Sequence, residues 1–251
     1  MTDMNVLLAE IDALKTRLDT LRPLDNKSIA EALAVEYTYE SNRIEGNTLT
    51  LRETDLVIHK GLTVAGKSMR EHLEAINHYE AVLFLRELVQ QATPLTESLV
   101  KQLHAIVLHS IDRENAGRYR SVPVSISGSR HIPPQPWQVP SLMEDCFSFY
   151  EQQRQVLHPV ILAAEMHERI VTIHPFIDGN GRTVRLVMNL ILMQHGYPIA
   201  NIPGDTESRL AYYHALETCN LGGDKEEFHR LIAGYVLASA RQWLKIAGDA
   251  Q

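Results

Sequence analysis

The chain is 251 residues long, enough to bury a sizeable core as one large domain or two small ones. Hydrophobic residues make up 45% and charged residues 22%, which excludes a disordered or collagen-like chain. A net charge of −7 and a pI near 5.9 argue against a general nucleic-acid binder, which needs a basic footprint to neutralise phosphates.

The first residues, MTDMNVLLAEIDALK, show acids and a helical pattern where a secretory leader would have a basic start and an unbroken apolar run. No apolar stretch approaches the roughly 18 residues that span a bilayer. Cys146 and Cys219 stand alone, outside any CxxC or Cys/His ligand pattern. The expected setting is therefore cytoplasmic and reducing, with no membrane partner.

Leu7, Ile11, Leu14, Leu18 and Leu21 repeat at four and three, a helical seam ended by Pro23. The seam predicts a helix docked on the core, with a short homodimer contact as its other use. Three capping boxes follow, in which a hydroxyl caps a helix and an acid three residues on reciprocates: Ser28/Glu31, Thr50/Glu53 and Ser68/Glu71. They predict helices over 29–43, 51–60, stopped by Gly61, and 69–91. Another is expected over 97–109.

The period then changes. Val122, Val124 and Ile126 alternate with smaller residues, and Ser127-Gly128-Ser129 makes a turn before Arg130-His131-Ile132. That predicts a small β-hairpin closed by Pro133-Pro134. Helices are expected again over 141–155, 159–173, 181–195, 206–220 and 225–247, with Asp224 and Glu227 as a cap pair for the last. RTVRLVMNLILMQ, in the third of these, is apolar nearly all round and should be central. The fold class is all-α: a helical bundle around one buried helix, with one hairpin. An N-terminal set of helices (1–92) would precede a core over 93–247, the two forming one compact unit.

The densest chemistry lies at 174–185, HPFIDGNGRTVR. Gly179-Asn180-Gly181 lets successive N–H groups point into one concavity at a helix N-terminus, an anion site. Arg182 and Arg185 lie three apart on the first turn and face one side. Two guanidiniums with a nest suit a di- or triphosphate. Asp178 beside it suits magnesium, which takes most of its ligands from phosphate oxygens and water. His174 is the nearby group able to accept a proton at neutral pH. Together these parts describe phosphoryl or nucleotidyl transfer.

HPFIDGNGRTVR also resembles the HPFx(D/E)GNGRxxR signature of Fic-domain proteins at every fixed position. The 128–134 stretch resembles that family's flap, and LMQHGYPI with AYYHALETCN its downstream helices. The resemblance implies a protein AMP transferase using Mg–ATP. His174 would deprotonate a target hydroxyl, Asp178 would hold Mg2+, and Gly179, Asn180, Gly181, Arg182 and Arg185 would bind phosphates. Tyr213 and Asn220 would line the adenine pocket. The flap, through Gly128, His131 and Ile132, would dock an unidentified protein substrate by its exposed edge.

SNRIEGN at 41–47 fits the family's [S/T]xxxE[G/N] inhibitory motif through Ser41, Glu45 and Gly46. The resemblance implies an inhibitory helix over about 28–45, whose Glu45 pairs with Arg185 and crowds the γ-phosphate. Two further functions remain open on the same residues. One is removal of AMP from a modified protein; the other is a nucleotide-binding regulator with little turnover.

Overall fold

The computed structural model describes residues 3–21 and 27–249. Ten α-helices occupy the described residues: α1 (Met4–Leu21), α2 (Lys27–Ile44), α3 (Leu51–Lys60), α4 (Met69–Gln90), α5 (Glu97–Val107), α6 (Val139–Gln153), α7 (Pro159–Ile173), α8 (Asn180–Gln194), α9 (Thr206–Asn220) and α10 (Glu226–Asp249). A 3-10 turn, Pro136–Gln138, leads into α6.

Local chemistry explains the boundaries. Thr50 and Ser68 each close a reciprocal capping box with Glu53 and Glu71. Gly61 ends α3 at φ 61, where its N–H reaches the Leu56 carbonyl. Ser28, expected to cap α2, lies inside that helix. Pro23, expected to end α1, lies outside the described residues.

α8 is the axis of the bundle. Every residue from Arg182 to Leu192 is buried, and α7 packs along the helix. The apolar seam of α1 is used within the chain: Ile11 and Leu18 are buried as α1 lies along α10. One hydrophobic cluster joins Ile11, Ala34 and Tyr37 to Leu186, Met188 and Phe228, so the N-terminal helices share the core of the signature helices. A small satellite of Leu49, Val57 and Ala75 lies under the α3–α4 connection.

The hairpin is a correction. Among the described residues there is no strand; 121–134 is an irregular loop with one turn, in which Ser129 N–H donates to Ile126 O at 3.2 Å. Gly128 takes φ 77 at that turn. Pro123, Pro133 and Pro134 remove backbone donors from both arms, so the alternating pattern has no ladder to complete.

The loop is held by side chains instead. Arg120, 3% exposed, donates to the carbonyls of Val122 and Pro134 and, at 2.8 Å, of His174. Glu217 on α9 accepts from Arg130 N–H at 2.8 Å. His131 Nε2 lies 2.9 Å from the Thr172 carbonyl.

Candidate active site

α7 must stop abruptly so that the chain can turn into α8. His174 makes that stop in the left-handed region, φ 51 and ψ 59, with its N–H on the Ile170 carbonyl. Gly179, at φ 74, opens α8 from the other side of the turn. Asn180 clamps the turn shut: its Oδ1 accepts from Phe176 N–H at 3.0 Å, and its Nδ2 donates to Phe176 O at 2.8 Å. The Asn180 side chain is therefore a brace, which leaves its backbone for the nest.

Sequence spacing did not suggest a role for His104 beyond the α5 stripe. Its ring stacks on Phe176 at 3.6 Å and 6°. Its Nδ1 accepts from Gly117 N–H, so Nε2 carries the hydrogen and donates to the Asp178 carbonyl, both at 2.9 Å. Replacing His104 with Phe keeps the stack and leaves both backbone groups unpaired. The expected loss is about 1–3 kcal/mol of folding stability, read from urea unfolding; an unchanged midpoint would remove His104 as a brace.

The charges sit on this frame. Asp178 Oδ1 accepts from Gly179 N–H at 2.6 Å and lies 3.4 Å from Arg182 Nη2, while Oδ2 takes a hydrogen bond from Arg70. Burial raises the Asp178 carboxyl pKa, but Arg182, the Gly179 N–H and Arg70 outweigh it and hold it below the ordinary value. The aspartate is thus ionised at neutral pH. Among the described residues no group of three His, Cys, Asp or Glu could hold a metal alone. A single ionised carboxylate beside an anion cradle fits Mg2+ bound mostly through phosphate and water.

Arg182 and Arg185 are 3% and 1% exposed. Arg182 Nη1 faces Glu74 at 3.2 Å. Arg185 donates from Nε to Ser41 Oγ at 3.0 Å, and from Nη2 to Ser41 O at 2.9 Å and Glu45 Oε1 at 2.7 Å. Ser41 lies on the last turn of α2 and Glu45 directly follows that helix, four residues on, so both reach Arg185 from one side. Gly46 completes the arrangement at φ 93: its N–H reaches Arg43 O and that of Asn47 reaches Asn42 O, a helix stop directly after Glu45.

Glu45 also lies over the start of α8. A Cβ on Gly181 would meet Glu45 Oε1 at 2.2 Å. The carboxylate thus occupies the space in front of the helix N-terminus, where an anion is favoured. Burial lowers the Arg185 pKa, but the Glu45 carboxylate reverses it and holds the guanidinium above its usual value.

Tyr213 donates its hydroxyl to the Ile44 carbonyl at 2.9 Å, and Asn220 Oδ1 accepts from Thr172 Oγ1. Both contact the ends of the helices that Glu45 and His174 directly follow. Ile132, 83% exposed, stands at the loop surface.

Burial pushes the His174 imidazole down to about 4, despite the opposing pull of the Val171 backbone and the Glu45 carboxylate. It is a neutral proton acceptor at pH 7. Burial likewise takes His104 to about 4 and His167 to about 3. Unfolded, these rings titrate near 6.5. Between about 6.5 and 4 the unfolded chain therefore binds protons that the folded chain refuses. The histidine effect on stability is absent above that window and grows as pH falls through it, by up to ~1.4 kcal/mol per pH unit for each ring. Depressed carboxylates such as Glu71, held at about 2 by Thr48 and Ser68, act only below their ordinary 4.5. Urea midpoints should fall from pH 7 to 5; a flat profile would contradict neutral burial.

The geometry can be set beside known proteins. Residues 94–192 match the Fic/DOC family, and the chain carries a Fic domain. Protein adenylyltransferase Fic of Drosophila grimshawi is 40% identical over 199 residues, 79% of this chain and 40% of that protein. The Drosophila willistoni protein of the same name is 36% identical over 229 residues, 90% of this chain and 45% of that one. The chain thus spans less than half the length of these curated relatives. Among solved structures, Fic-1 from C. elegans aligns with a TM-score of 0.84 at 29% identity, covering 98% of this chain and 73% of that one. A Fic domain containing signaling protein from Bacteroides thetaiotaomicron aligns at 0.86 and 28% identity, covering 96% and 98%. Among the described residues, no helix is long and apolar enough to cross a membrane.

Proposed function

We propose that the chain is an autoinhibited protein adenylyltransferase, moving AMP from Mg–ATP to a Ser, Thr or Tyr hydroxyl of a target protein, itself included. The observation that carries the reading is the Glu45 carboxylate, seated on Arg185 in front of α8. A carboxylate there occupies a helix N-terminus, where negative charge is favoured. The relatives' name supports the same class of reaction.

With Glu45 withdrawn, the first N–H groups of α8, Arg182 and Arg185 bind the triphosphate, and Asp178 holds Mg2+. The ion, when bound, neutralises charge on the phosphate oxygens. His174 takes the proton of the target hydroxyl. The hydroxyl oxygen bonds to the α-phosphorus as its bond to the bridging oxygen breaks, and pyrophosphate leaves. Tyr213 and Asn220 border the adenine, and the 121–134 loop, with Ile132 outward, receives the target. A second reading on the same residues is AMP removal, in which Glu45 would position a water instead of blocking the site.

The test incubates wild type and Glu45→Gly with labelled ATP, magnesium and a cell lysate. Label on protein with Glu45→Gly and little with wild type supports an inhibited transferase; equal labelling removes the inhibition. Release of AMP by wild type from protein labelled by Glu45→Gly identifies AMP removal. ATP binding without transfer in either form indicates a nucleotide-binding regulator.

A further inference from the structure

The contact between Glu45 and Arg185 is not the only one that reaches the signature from the N-terminal helices. Arg70 and Glu74 stand one turn apart on α4, just after the Ser68/Glu71 cap that fixes where this helix starts. Arg70 Nε donates to Glu74 Oε1 at 3.1 Å, and its Nη2 donates to Asp178 Oδ2. Glu74, 11% exposed at its side chain, also faces Arg182 and accepts from Asn47 Nδ2 at 3.1 Å. Asn47 lies two residues beyond Glu45. Asp178, Arg182 and Arg185 are thus each paired with a side chain from 41–74.

Both oxygens of Asp178 are committed. Oδ1 serves Gly179 and Arg182, which belong to the same turn; Oδ2 serves Arg70, which comes from another helix. A divalent cation on Asp178 would compete with Arg70 for Oδ2, and it would stand beside the Arg70 positive charge.

We propose that Arg70 and a divalent cation exclude each other at Asp178, making Arg70 a gate on metal loading that is separate from the Glu45 contact. The proposal rests on the reading of Asp178 as the metal ligand. Arg70 is 56% exposed at its side chain, so it can swing into solvent without unpacking a core. An exposed guanidinium pair is worth little, so the gate is a modest one, about fivefold. It weakens metal-bound nucleotide without blocking it. Glu74 keeps Arg182 and Asn47 as partners when Arg70 leaves.

The test measures ATP affinity by calorimetry, in EDTA and in saturating Mn2+, on the full chain carrying His174→Ala to prevent turnover. The ratio of the two dissociation constants is the metal enhancement. Adding Arg70→Ala should raise that ratio about fivefold, and Arg70→Lys should fall between the two. An unchanged or reduced ratio with Arg70→Ala, in protein whose melting temperature is preserved, overturns the gate. Asp178→Asn separates this from the underlying assignment. If the enhancement survives Asp178→Asn, Asp178 is not the metal ligand and the gate falls with it. If Asp178→Asn abolishes the enhancement while Arg70→Ala leaves it unchanged, the ligand stands and only the gate fails.

Discussion

Glu45→Gly should raise the rate of protein labelling from ATP by about 10- to 100-fold. The magnitude follows from the contact being removed. Glu45 Oε1 sits 2.7 Å from Arg185 Nη2, with its side chain 33% exposed and Arg185 almost fully buried. A charge-assisted hydrogen bond in such a setting is worth about 1.5–3 kcal/mol. That energy must be overcome whenever a triphosphate takes Arg185, and the variant no longer has to overcome it. Arg185 keeps Ser41 Oγ and Ser41 O, so its position survives the change. The apo variant should be less stable, because a buried guanidinium has lost its counter-charge. ATP should restore part of that stability. Labelling no higher than wild type, with ATP bound, would mean that Glu45 is no inhibitor.

His174→Ala, placed on Glu45→Gly, should lower labelling by about 10²- to 10⁴-fold while leaving ATP affinity nearly unchanged. On the proposed reading the ring handles the incoming hydroxyl and no phosphate. Its low pKa of about 4 keeps the base form present across neutral pH. Glu45 raises that pKa, so Glu45→Gly should move the acid limb of the rate profile lower still. A loss of ATP affinity matching the loss of rate would place His174 in nucleotide binding instead. Arg120 makes the prediction sharper: it anchors the His174 carbonyl to both arms of the 121–134 loop, so the backbone at this position should hold without the imidazole.

The alternation of Val122, Val124 and Ile126 predicts a hairpin where the structure has an outward loop. Alternation reports which face a residue takes, and it says nothing about whether two arms can exchange hydrogen bonds. Three prolines withhold the donors, and Arg120 and Glu217, far apart in the chain, supply the anchoring instead. The role of His104 is hidden in the sequence for a related reason. A histidine in an apolar stripe looks like core, and only the approach of the 174–181 turn shows that its two nitrogens brace Gly117 and Asp178.

By itself the sequence determined what local chemistry controls. The Thr50 and Ser68 caps, the Gly61 and Gly46 stops, the burial of α8 and the contents of the 174–185 turn all depend on residues within a few positions of each other. The tie between Ser41, Glu45 and Arg185 was legible only through the family resemblance, since 140 residues separate Glu45 from its partner. Arg70 and Glu74 could be read only as an i,i+4 surface pair. The tertiary structure decided that this pair points at Asp178 and Arg182. Helix periodicity gives the face on which a charge lies, but packing of α2 and α4 against α8 decides which charges it meets.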